Sequence, residues 1–211
     1  MVLNVWSHHH RNTITITEKM KRLICGLFIF ASIIGLFSVI AKAEEKAQIK
    51  NLIVFYSYTG NTELVGKTLA EILKADVIKI EDITRPSKDE AYGAGREASI
   101  QGKSWPVKPF NKDISGYDRI FVGCPVWFGM PTPELNAFIE QVDFTGKQVV
   151  VFVTLGGGGP DKAIKAMTEK ITAKGGKVVS SFFVKTKAVS KDDIVNKAKE
   201  ISKQYSRSMS P

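Results

Sequence analysis

Five short runs of Val, Ile and Phe, at residues 52–56, 77–80, 120–122, 149–153 and 178–184, constrain this chain more than any other feature. They are mostly continuous rather than alternating, which is how strands buried on both faces read. Between them the apolar residues recur at helical spacing. Leu64, Val65, Thr68, Leu69, Ile72 and Leu73 form one stripe, and Leu135, Phe138, Ile139 and Val142 another. Ile164, Met167 and Ile171 follow, then Ile194, Ala198, Ile201 and Tyr205. Strands alternating with amphipathic helices predict an α/β domain, a doubly wound parallel sheet with helices on both faces. Five strands in roughly 165 residues predict the order 2-1-3-4-5. One connection, 81–117, is long and rich in Gly and Pro, with an imperfect helix expected over 89–101.

The rare residues narrow the chemistry. All three histidines are adjacent, at His8, His9 and His10, and the two cysteines are Cys25 and Cys124. The strand-and-helix region therefore holds no Ser-His-Asp triad, Cys-His pair or His-ligated zinc. It also lacks a CxxC pair, an iron–sulfur site and an internal disulfide. Cys124 is expected to be buried and inert. Chemistry performed here comes from carboxylates, hydroxyls, backbone or a bound cofactor. With 44% hydrophobic and 24% charged residues the chain is globular, not disordered.

Residues 1–43 read as an address. Met20-Lys21-Arg22 precedes 18 uncharged residues, 23–40, and Ala41-Lys42-Ala43 follows. A charged start, an apolar stretch and an A-x-A site make a secretory signal, with residues 1–19 an upstream extension. Gly26, Ser32, Gly35 and Ser38 weaken the alternative, an anchor retained through 23–40. An exported, periplasmic or other extracytoplasmic domain over 44–211 is the expectation. The whole chain has a net charge of +9, and 44–211 carries 25 basic and 20 acidic residues.

In an open parallel sheet, ligands bind beyond the carboxyl ends of the strands. After the first strand comes Ser57-Tyr58-Thr59-Gly60-Asn61-Thr62, leading into a helix. Hydroxyls, an amide and free backbone N–H groups at a helix N-terminus form an anion site. An N-cap plus turn is the plainer reading of the same residues. Gly60 to Thr68 imitates a nucleotide-binding P-loop, but five residues separate its glycines and Gly66-Lys67-Thr68 falls inside the helical stripe. Nucleotide hydrolysis is rejected on both counts. After the third strand, Pro125-Val126-Trp127-Phe128-Gly129-Met130-Pro131 supplies aromatics suited to a flat ring, or to plugging the sheet end. After the fourth, Thr154-Leu155-Gly156-Gly157-Gly158-Gly159 lets backbone approach a ligand, or simply turns. Taken together, the three loops describe a ligand with a phosphate at one end and a planar ring at the other.

These residues resemble the flavodoxin family. Ser57 to Thr62 is similar to its phosphate loop, T/S-x-T-G-x-T, and residues 125–131 and 154–159 resemble the P-x-W-x-G and T-x-G-G-x-G stretches of a bacterial branch. The resemblance covers about residues 50–204 and implies the flavodoxin-like fold and FMN as cofactor. It implies that Ser57, Thr59, Gly60, Asn61 and Thr62, with Tyr58 among them, hold the phosphate. Pro125, Val126, Trp127, Phe128 and Gly129 would flank the ring on one side, and Thr154, Gly156, Gly157 and Gly158 on the other. A backbone carbonyl at Phe128-Gly129 is the match for the one that turns toward the flavin. The chain departs from typical acidic, cytoplasmic members in charge and in its leader, and it has no tyrosine in the fourth-strand loop.

An electron-transfer protein is the leading expectation, since electron transfer needs neither His nor CxxC. Its partner would be a redox protein or a small acceptor, and it would be a monomer or weak dimer. The alternative is an FMN-dependent reductase of quinones or similar acceptors using NAD(P)H. In that case Tyr92, Trp105 and Phe110 of the long connection would roof the site, although packing over the sheet edge is the favoured role. A third class is a binding module without useful flavin. Residues 162–211 carry 12 basic and 4 acidic side chains, a surface for an anionic membrane or an acidic partner if not merely solvated. No basic-aromatic array for nucleic acid is present. Fewer acids near the ring predict a less negative flavin potential than in acidic family members.

Overall fold

A computed structural model describes residues 49–207. The proposed leader, 1–43, lies outside the described residues. Five parallel strands, β1 (Asn51–Tyr56), β2 (Asp76–Ile80), β3 (Arg119–Pro125), β4 (Gln148–Leu155) and β5 (Lys177–Lys185), form one sheet in the order β2-β1-β3-β4-β5. The expected order and class are both observed. Helices α1 (Asn61–Leu73), α4 (Pro133–Gln141) and α5 (Asp161–Ala173) are crossovers, and α6 (Lys191–Arg207) follows β5.

The strand period of two divides the core. Leu52, Val54, Tyr56, Ile120, Val122, Val149 and Val151 point to one face and pack with Leu135 and Phe138 of α4 and Met167 and Ile171 of α5. Ile53, Phe55, Phe121, Val150 and Phe152 point to the other and pack with Val65 and Leu69 of α1 and Ile194 and Ala198 of α6. Each fully buried side chain of this size contributes roughly 2 kcal/mol. Continuous burial holds for β1, β3 and β4 but not for the two edges. Most of β2 is exposed, and β5 leaves Val179 and Phe183 in solvent. An edge strand lacks a neighbour on one side, which the apolar runs did not reveal.

Two glycines allow close approach. A Cβ on Gly66 would sit 2.5 Å from the Phe55 ring, so α1 lies against the sheet there. Gly66 is thus a packing residue inside a helix, as the rejection of the P-loop reading requires. A Cβ on Gly123 would fall 2.3 Å from Phe152, whose ring stacks on Phe182 at 5.5 Å.

The long connection is an ordered arm. It starts and ends in a bridge between Asp82 and Val107, and Lys108 N–H donates to Glu81 O at 2.9 Å. Between lie α2 (Lys88–Tyr92) and α3 (Ala94–Ile100), separated at Gly93 rather than continuous over 89–101. A capping box starts α2: Glu90 N–H donates to Ser87 Oγ, and Ser87 N–H donates to the Glu90 carboxylate. The arm is tied to α4, because Trp105 N–H donates to Pro133 O at 3.2 Å and Asn136 Nδ2 donates to Lys103 O at 3.0 Å.

Candidate functional site

A cleft of about 520 Å³ opens at the carboxyl edge of the sheet. It lies where β1 and β3, neighbours in the sheet, send their following loops apart, the switch point of this topology. Tyr58, Thr59 and Asn61 line it from the β1–α1 loop, Pro125, Val126, Trp127 and Phe128 from the β3–α4 loop, and Thr154 and Gly156 from the β4–α5 loop. The structure thus brings three separate loops together at one cavity.

The β1–α1 end is built by backbone. Gly60 has φ of +91°, a left-handed turn that a side chain would strain, and nothing lies within 4 Å of where its Cβ would be. Ser57 Oγ accepts the N–H of Glu63 at 3.1 Å, so Ser57 caps the helix from outside. The Thr62 hydroxyl is buried and bonds the Thr154 hydroxyl at 2.7 Å. Ser57 and Thr62 make these hydrogen bonds within the fold, and Thr59 and Asn61 line the cleft beside the N-terminus of α1.

The β3–α4 end is aromatic. Trp127 meets Tyr56 and Tyr58 edge-on, with centroids at 6.4 and 5.4 Å. Behind it, a Cβ on Gly95 of α3 would touch both Trp127, at 2.9 Å, and Trp105, at 3.1 Å. Trp127 and Met130 exchange backbone hydrogen bonds of 2.9 Å around Phe128 and Gly129, whose φ values are +51° and +85°. That is a tight two-residue turn of the I′ kind, in which Phe128 is the strained member. Val126 N–H donates to Thr154 O at 2.8 Å, tying this loop to β4.

Beneath this end lies a buried acid. Glu134, in the first turn of α4, is fully buried, and neither carboxylate oxygen has a hydrogen-bond partner within 3.5 Å. Burial pushes its carboxyl up to about 7, and the nearby Asp82 charge adds to the effect. Burial likewise raises the Tyr56 phenol, reinforced by the Glu134 and Asp82 charges; Tyr56 donates to Asp82 at 3.3 Å. Cys124 is buried, as expected, and burial holds its thiol up at about 12.

The structure adds lining residues that the loops alone did not reveal. Lys88, Ala91 and Tyr92 come from α2, Leu155 from the end of β4, and Thr186 from the chain beyond β5. Applying the strand-end rule to β5 as well would have found Thr186. Nothing local signalled Lys88. Tyr92 roofs the cleft, whereas Trp105 packs on Gly95 and Phe110 on Phe138 at 5.3 Å. Gly129, Gly157 and Gly158 do not line the cavity; Gly158, with φ of +73°, shapes the turn beside it. The lining holds no carboxylate, thiol or imidazole, and among the described residues no cluster could bind a metal.

A doubly wound sheet with an anion-binding turn after its first strand and an aromatic loop after its third defines a mononucleotide-binding α/β protein. The family model described as Flavodoxin matches residues 50–198, and the chain belongs to the flavodoxin family. Flavodoxin 1 of Salmonella typhimurium is 31% identical over 104 residues, 47% of this chain and 46% of that protein. Flavodoxin of Haemophilus influenzae is 32% identical over the same length, 47% of each chain. The chain thus spans about half the length of the curated relatives it matches. Among solved structures, a flavoprotein in complex with FMN from Lactobacillus acidophilus has a TM-score of 0.57 at 22% identity, covering 72% of this chain and 99% of that one. Flavodoxin 2 of Bacillus cereus has a TM-score of 0.51 at 18% identity, covering 76% and 99%. These two likenesses concern the fold.

FMN, the cofactor the family implies, fits the residues present. The open, left-handed turn at Gly60 admits a phosphate against α1, and the cavity has the size and apolar wall that a flat ring needs.

Proposed function

We propose that this chain binds FMN in the cleft and acts as an electron-transfer protein outside the cytoplasm. The observation that carries the reading is the convergence of Thr59 and Asn61 at one end of a single cavity and Trp127 and Phe128 at the other. FMN supplies the electron chemistry; the chain binds, orients and desolvates it. The N-terminus of α1 and the polar side chains hold the phosphate. Trp127 supplies the flat wall, and the arm locks its position through Gly95 and Trp105.

Purified protein mixed with FMN is expected to turn yellow and to hold FMN through gel filtration. A colourless protein that ignores FMN overturns the reading. Multiple turnovers with NAD(P)H and a quinone, with no added reductase, would replace the carrier by a reductase. Export rests on the charged start, apolar stretch and Ala41-Lys42-Ala43 site. The exported protein is expected to begin at Glu44, which intact mass measures; a mass that retains residues 20–43 would favour the anchor.

A further inference from the structure

We propose that the rim of the cleft is a docking surface for an acidic protein partner. The inference rests on the electron-transfer reading and adds the chemistry of the partner. At the mouth, Tyr92 is 62% exposed and Phe128 44%, and their rings meet edge to face at 5.7 Å. An exposed aromatic pair beside a cavity is the apolar centre of a small interface.

Five basic side chains surround it. The Arg85 guanidinium lies 4.9 Å over the Tyr58 ring and donates to Tyr58 O, and that of Arg96 lies 5.3 Å over Phe128. Lys88 lines the cleft one turn before Tyr92 on α2. Lys162 and Lys187 reach the two glycine loops: a Cβ on Gly129 would be 4.0 Å from Lys162 Cδ, and one on Gly156 3.6 Å from Lys187 Cβ. All five are exposed, and among the described residues none pairs with a carboxylate within 4.0 Å.

Three exposed carboxylates, Asp89 and Glu90 on α2 and Glu97 on α3, offset part of this charge without matching the five cations; Glu90 caps α2, and Glu97 accepts from Gln101. Asp161, at the start of α5, is the carboxylate that shares the rim with Lys162. Stacking on Tyr58 and Phe128 holds two of the cations in place, so the charge is positioned rather than spread. Positioned positive charge around an apolar centre selects a negatively charged surface and speeds its encounter. Such a partner reaches the ring end of the cleft directly.

The test uses plastocyanin, an acidic copper protein, as probe, and cytochrome c, a basic haem protein, as the counter-probe. Amide NMR shifts are followed as plastocyanin is added to the full chain at low salt, with and without FMN. Shifts concentrated at residues 85–96, 126–130, 156–162 and 186–188 are expected; shifts centred on the α6 lysines, or none, overturn the proposal. In stopped flow, electron transfer from the reduced FMN-loaded protein to plastocyanin is expected to slow roughly tenfold between low and high salt, and transfer to cytochrome c not to slow. The double variant Arg96→Glu, Lys162→Glu should abolish the plastocyanin salt effect, while Lys199→Glu, Lys203→Glu, equal in charge, should not. Equal effects of the two variants would mean that net charge, not the rim, is at work, and would overturn the proposal. Failure to bind FMN defeats the electron-transfer reading, and the shift map without FMN still decides the surface.

Discussion

The two ends of the cleft are made by different physics. At the β1–α1 end the working parts are backbone: a left-handed glycine, a helix N-terminus, and hydroxyls such as Thr62 and Ser57 that stabilise the loop itself. At the β3–α4 end they are large side chains, Trp127 and Phe128, held by an arm some thirty residues away in sequence. The acids at the two ends also titrate in opposite senses. Glu63, in the first turn of α1, is held below the ordinary range by hydrogen bonds from Lys67 and then Lys79. Glu134, under the aromatic end, is raised by burial. A phosphate site can thus be assembled locally, whereas a ring site has to be assembled by the tertiary fold, and its polar groups pay for their burial.

The sharpest way to break this contrast is to compare FMN with riboflavin, which lacks the phosphate. Trp127→Ala is expected to weaken both by roughly 100-fold, about 3 kcal/mol, in fluorescence titrations. Loss of FMN affinity with riboflavin unchanged would remove Trp127 from the ring wall.

The second effect is on pH. Glu134 ordinarily titrates near 4.5 and here near 7, so between those values the folded chain holds more protons than the unfolded one. Its contribution is then intact below about 4.5 and is lost as pH rises through about 7. Urea unfolding should show stability declining across that window by on the order of 3 kcal/mol, and Glu134→Gln should remove the decline. Glu63 works the other way: its contribution is present at neutral pH and is lost as pH falls below the ordinary carboxylate range. An unchanged slope in Glu134→Gln would mean that the buried acid does not set the pH response of the aromatic end.

Smaller effects belong to the phosphate end. Thr62→Val leaves the buried Thr154 hydroxyl without its partner and should cost roughly 2 kcal/mol of stability by urea midpoint. A cost below about 0.5 kcal/mol would show that the hydroxyl pair does not hold the loop. Gly60→Ala meets no neighbouring atom, so its cost is conformational, roughly 1 kcal/mol. It should weaken FMN several-fold and leave riboflavin unchanged; equal loss of both would blur the distinction between the ends.

Most of the fold was legible because it is written in local periodicity. The apolar runs located all five strands to within a few residues, and the helical stripes located α1, α4, α5 and α6. The arm was less legible. Gly93 splits its helix, and neither half has enough turns for a stripe to be read. The site divides the same way. Tyr58, Thr59, Trp127 and Phe128 each sit in a loop directly after a strand, and Asn61 starts the helix that follows one, so a rule about strand ends finds them. Lys88 and Ala91 belong to α2, which reaches the cleft because the arm is pinned by the Asp82–Val107 bridge and by Pro133 and Asn136. Glu134 gave no signal, since a glutamate after Pro133 is what an exposed helix start would show.

By itself, then, the sequence determined the class of sheet, its strand order, and the three loops that meet at its edge. These follow from side-chain period, turn residues and helix starts, all set within a dozen residues. Only the tertiary structure decided which hydroxyls face the cleft and which hold the loop. It also decided which acid is buried and which cations gather at the rim. Those properties depend on distances between residues far apart in the chain, and burial and pairing do not exist until the chain has folded.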